Sequence, residues 1–127
     1  MASVLPLLLL VLGAVGVAQS NLQVYSLRAN RLRPHALPVN AYVKVFGGHR
    51  HLGQTETLDN NPNPSWSRSF SSSGVQQKEV LRLEVYSSDS SSSDLLGVCH
   101  QSVRLGTHGQ SCSLRKGGSL LYVYTLS

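Results

Sequence analysis

Acidic side chains are scarce in this chain, 6 Asp and Glu against 11 Lys and Arg, giving a formal net charge of +5. A basic balance of that size speaks about partners and solubility rather than fold. It favours anionic lipid, sulfated glycan or nucleic acid, or else simply a soluble basic surface. Cysteine is nearly absent too: only Cys99 and Cys112 occur, with no CxxC pair and no Cys/His cluster at zinc-finger spacing. Gly-x-Ser-x-Gly elbows, phosphate loops and His-Glu-x-x-His are all missing. The sole Asn-Pro-Ser stretch, at Asn63, cannot accept a glycan because proline follows it. Five histidines in a basic chain invite a ribonuclease reading, with two of them and Lys44 acting on phosphodiesters. They sit in loops outside any catalytic motif, so the chain reads as a binding module rather than an enzyme, with no specific nucleic-acid partner.

Long apolar runs are missing except at the start. The stretch Val4 to Val17 is short for a bilayer span, and the small residues Gly16, Ala18 and Ser20 at and beyond its end suit a signal-peptidase site. Residues 1–20 are expected to be a cleaved signal peptide, although no Lys or Arg precedes the apolar stretch. Residues 21–127 would then form one secreted, extracellular domain. Export places Cys99 and Cys112 where disulfides persist. A bridge between them would close a loop of about 14 residues and contribute about 3 kcal/mol in the chain-entropy model.

What is present is period-two alternation. In VLRLEVY, Leu81, Leu83 and Val85 share one face while Arg82, Glu84 and Tyr86 share the other. AYVKVFG repeats the pattern, and LQVYSLRA and SLLYVYTL are β-branched or aromatic. Shorter strands are expected at 52–58, 66–71, 96–103 and 111–114, separated by FGGHRH, DNNPNP, SSSG, RLGTHG and RKGG. No segment reads as a long amphipathic helix. The expected fold is all-β: an eight-stranded antiparallel β-sandwich with one disulfide.

Three motifs, in order, resemble a C2 domain. They are VNAYVKVFGG, TETLDNNPNPSW, and LRLEVYSSDSSSSDLLG, in which an aromatic precedes a loop ending in Leu-Leu-Gly. The resemblance covers about Leu22 to Tyr124 and implies a C2-type sandwich that binds membrane phospholipid peripherally. It also implies calcium-binding loops at NRLRPHALPVN and at the Ser-rich segment. Calcium takes six to eight oxygens, and its affinity rises with the number of carboxylates.

Carried over by position, that ligand set is depleted. Asn40 stands where the family has Asp, and the earlier first-loop Asp falls near His35. Ser87 replaces the Asp after the aromatic, and Ser92 or Ser93 the intervening one, while Asp89 and Asp94 match the remaining ligands. The resemblance thus implies a residual site at Asn40, Asp89 and Asp94, with weak millimolar calcium binding at most and no cofactor required. Attachment would pass to Arg28, Arg31 and Arg33 with Leu32 and Leu37 interleaved. Lys44, His49, Arg50 and His51 form a second expected basic patch. The partner would be an anionic phospholipid membrane. The alternative is a sulfated glycan or microbial envelope bound without insertion. The resemblance implies that Trp66 packs in the core, and Tyr122 and Tyr124 read as packing or edge residues.

Overall fold

The computed structural model describes residues 20–127, so the expected signal segment lies, but for Ser20, outside the described residues. Nine strands form among them. They are β1 (Asn21–Asn30), β2 (Ala41–Gly47), β3 (Arg50–Gln54), β4 (Ser65–Trp66), β5 (Phe70–Ser73), β6 (Val80–Ser88), β7 (Ser93–Ser102), β8 (Gly106–Ser113) and β9 (Ser119–Leu126). No helix among the described residues is long and apolar enough to cross a membrane. One sheet runs β4-β1-β9-β8, with β5 also pairing β1, and the other runs β3-β2-β6-β7; every pairing is antiparallel.

The alternation seen in the sequence becomes the core. Val43, Val45, Leu81, Leu83 and Val85 of one sheet meet Leu22, Val24, Leu120, Tyr124 and Leu126 of the other, all fully buried or nearly so. Trp66 and Tyr122 join them, as expected of packing residues. Cys99 on β7 and Cys112 on β8 are bridged, with Cα atoms 6.0 Å apart. Since β7 and β8 are edge strands of different sheets, the disulfide staples the sandwich along one open side.

The ninth strand comes from a break in the expected 66–71 strand. Register shifts along β1 between Tyr25 and Arg28, where Ser26 has a positive φ of 53°. Leu27 pairs with Trp66 below this bulge and Val24 with Phe70 above it, so residues 67–69 have no ladder partner. The expected 52–58 strand instead begins at Arg50, directly after a two-residue turn at Gly48 and His49, and ends at Gln54. Beyond it, Thr55 keeps contact by side chain: its hydroxyl accepts the Val43 N–H at 2.9 Å. β8 is longer than the expected 111–114 and takes in part of RLGTHG. As an edge strand it pairs only with β9, so its polar sequence carries little apolar signal.

Candidate functional site

Four loops meet at one end of the sandwich: loop 1 (31–40), loop 2 (55–64), loop 3 (89–92) and loop 4 (114–118). The antiparallel pairings Ala41↔Ser87 and Asn30↔Ser119 put their flanking strand ends side by side. Loop 2 is sewn to loop 1 by backbone bonds from Leu32 N–H to Pro62 O (3.0 Å) and Asn61 N–H to Val39 O (2.9 Å).

That stitching decides which loop 1 residues can meet a surface. Arg31 adopts a left-handed φ of 54°, and its N–H is held by Asn63 Oδ1 at 2.9 Å. The turn sends Leu32 back into the core, where it is only 4% exposed. Leu32 is therefore a packing residue, a correction to its expected place at a lipid-facing tip. Between the buried anchors Leu32 and Val39 the chain protrudes, and Leu37 at its crest is 81% exposed. Arg31 and Arg33 are exposed in the same loop, with the Arg33 side chain lying against Gly117 of loop 4. Arg28 lies back on β1, lining a shallow hollow of about 650 Å³ on the outer face of its sheet with Ser65, Ser111 and Leu121.

The second basic cluster does not form one patch. Lys44 sits mid-strand with its Nζ 4.9 Å from the centre of the Tyr86 ring. His49, Arg50 and His51 are at the β2–β3 turn, at the opposite end from the four loops. There His51 packs against Phe46, and Arg50 donates to Ser73 O at 3.0 Å. Tyr86, stacked on Tyr42, is pushed up to about 12 by burial and by its hydrogen bond to Glu84.

Sequence reasoning missed Arg115 and Lys116 of loop 4, taking RKGG only as a turn. The signal was available once the last hairpin was paired with β1, because its turn must then lie beside Asn30. Gly97 is the reason loop 4 comes so close: a methyl there would stand 2.9 Å from Leu114 Cβ and 3.0 Å from Arg115 N. Lys116 N–H donates to Leu96 O at 3.0 Å. This places its ammonium on Asp94 Oδ1. Asp94 Oδ2 accepts the His35 N–H at 2.6 Å, so both carboxylate oxygens are engaged. The Lys116 bond first, then the His35 N–H, hold the Asp94 carboxyl below its ordinary value. Lys116 is 41% and Asp94 23% exposed. A pair this open contributes up to about 1 kcal/mol, so its main consequence is loop position rather than stability.

Asp89 closes on its own loop. Its Oδ1 accepts N–H bonds from Ser91 at 2.9 Å and Ser92 at 2.8 Å, which lower its pKa. Asn40 is a strut rather than a free ligand: Oδ1 accepts the Asn60 N–H and Nδ2 donates to Ser88 O, both at 2.9 Å. The hydroxyl of buried Ser87 accepts the Asn40 N–H at 3.1 Å. Asp89, Asp94, Ser87, His35 and Lys116 line a common cleft of about 180 Å³. Its engaged oxygens fall short of the six to eight that calcium takes, and a lysine already points into it. No three His, Cys, Asp or Glu side chains gather as a metal-holding group among the described residues. The residues present do not fit the ion that the family resemblance implies.

Comparison with known proteins agrees with this architecture. The C2 domain family model matches residues 20–115. Human perforin-1 is 40% identical over 81 residues, covering 61% of this chain but only 14% of perforin-1. A solved C2 domain superposes with a TM-score of 0.81 at 44% identity, covering 85% of this chain and 98% of that one. The C2A domain of a plant extended synaptotagmin 1 shares the fold at 22% identity, with a TM-score of 0.73 and coverage of 85% and 94%. This fold is a non-catalytic module that commonly binds membrane lipid. The chain belongs to the C2 domain family.

Proposed function

We propose that the chain is a secreted C2 module that docks peripherally on anionic phospholipid surfaces through its four-loop end, with calcium dependence weak or lost. The observation that carries this reading is the exposed Leu37 of loop 1, at the same end of the sandwich as exposed Arg31 and Arg33 of that loop and Arg115 and Lys116 of loop 4. These four cations stand on loops 1 and 4, which hold no carboxylate, while Glu56, Asp59 and Asp89 lie on loops 2 and 3 and Asp94 near the start of β7, so the end is balanced overall and its loop 1 and loop 4 side is positive without a bound ion. Each basic side chain near an anionic leaflet contributes about 1 kcal/mol. Burying a leucine adds about 1.5–3 kcal/mol. Secretion rests on residues 1–20, and intact mass of exported protein should start near residue 19 to 21. A setting in host defence rests on the likeness to perforin-1 and is fold-level analogy.

A second reading, sulfated-glycan binding without insertion, is favoured by the opposite end. Arg50, Lys78 and Arg104 lie there with Glu79, and Lys78 N–H to Val103 O with Val103 N–H to Glu79 O ties the 78–79 segment to the one that carries Arg104. Flotation with phosphatidylserine liposomes, repeated with heparin as competitor, separates the two. Loss of flotation on Leu37→Ser supports the membrane reading. Heparin binding that depends on Arg50 and Arg104, with no flotation, supports the other.

A further inference from the structure

The cleft between loops 1, 3 and 4 has the position of a metal site but not its ligands, and the group that enters it is an ammonium. A divalent ion held among such loops would neutralise their carboxylates and tie the segments together. Lys116 performs both tasks from the protein itself. Its ammonium bonds Asp94 of β7, whose second oxygen takes the N–H of His35 in loop 1. Its own backbone is fastened to Leu96 O.

The placement is enforced from two sides. Gly97 lets Leu114 and Arg115 pack directly on β7. Gly118, at a φ of +80°, passes so close to the junction of β1 and loop 1 that a methyl there would stand 2.3 Å from Asn30 O and 2.7 Å from Arg31 O. Loop 4 therefore has little freedom to withdraw its lysine. Asn40 and Ser87, engaged with Asn60, Ser88 and one another, add rigidity on the remaining side.

We infer that Lys116 is a tethered cation standing in for a metal ion, so that the loops hold their arrangement with no ion bound and Asp94 is withheld from metal. This rests on loop geometry alone and is independent of the membrane reading. A compact +1 charge fixed by a covalent stem does not depend on ion concentration. It also repels any free cation approaching Asp89 and Asp94.

The test is a titration of lipid-free protein with terbium, followed by sensitised emission. Tyr42 supplies the antenna, since its hydroxyl shares a hydrogen bond with Ser93 Oγ at 2.9 Å, next to Asp94. Lys116→Met should bind terbium about tenfold or more tightly than the wild type, one repelling charge having been removed beside two carboxylates. Lys116→Arg keeps the charge and should behave as the wild type, as should Lys116→Met combined with Asp94→Asn. A ratio near one between Lys116→Met and the wild type overturns the inference, whether both bind or neither does. So does Lys116→Arg titrating like Lys116→Met.

Discussion

Gly97 on β7 lies in direct contact with Leu114 at the start of loop 4, with room for hydrogen but not for a methyl, which would meet Leu114 Cβ and Cδ2 at 2.9 Å. This contact sets how near the basic turn comes to the acidic side of the cleft. Gly97→Ala should cost about 1–3 kcal/mol, as overpacking of a filled interior does. Urea unfolding measures it. The same substitution should loosen the Lys116–Asp94 pair, visible as a rise of the Asp94 carboxyl towards its ordinary value in an NMR titration.

The Cys99–Cys112 bridge joins the two sheets at their edges rather than two neighbouring strands. Its removal therefore frees one sheet edge from the other. Replacing both cysteines by alanine should cost about 2–5 kcal/mol, the range for losing a native disulfide from a small secreted domain. Alkylation of non-reduced protein followed by mass spectrometry should find no free thiol.

Two leucines five residues apart in loop 1 should behave oppositely. Leu32→Ala removes a side chain that packs in the core and should cost about 2–5 kcal/mol of folding stability. Leu37→Ser alters an exposed crest and should leave thermal unfolding unchanged while weakening liposome binding. A stability loss at 37 with none at 32 would contradict the loop's observed course.

Acid should loosen the loop end before the core. The folded pKa values of Asp89 and Asp94 lie below the ordinary value of about 3.9. Their contribution is therefore fully present above that value and is lost as pH falls through the lower, folded ones. Alkali acts through Tyr86 and Tyr122, both raised to about 12, the latter mainly by burial. Their contribution is present below about pH 10, where the unfolded phenols are still neutral, and fades as pH approaches 12. Absorbance at alkaline pH should show two phenols ionising near pH 12.

The sandwich was legible because strict alternation at 81–86 and 41–47 leaves one register that buries Leu83 and Val43 together. The motif order then pointed to loops 1 and 3 as the candidate site. What stayed hidden depends on local detail that alternation does not encode. The bulge at Ser26 splits one strand into β4 and β5, and edge pairing lets the polar segment 106–113 form β8. In loop 1, three basic residues around a leucine look like a uniform patch. Only the bonds from Arg31 N–H to Asn63 Oδ1 and from Leu32 N–H to Pro62 O separate buried Leu32 from exposed Leu37, and only β1 geometry sets Arg28 apart from Arg31 and Arg33. Lys116 was hidden because its partner lies 22 residues away, across a contact that Gly97 makes possible.

The account is tested most directly by flotation of the protein with phosphatidylserine liposomes in chelator and in millimolar calcium, across a series of salt concentrations. It predicts the same bound fraction with and without calcium, falling as salt shortens the screening length. Removing Arg31 and Arg33 together should weaken binding by about 2 kcal/mol, or roughly thirtyfold. Binding abolished by chelator, or indifferent to both arginines, would contradict it.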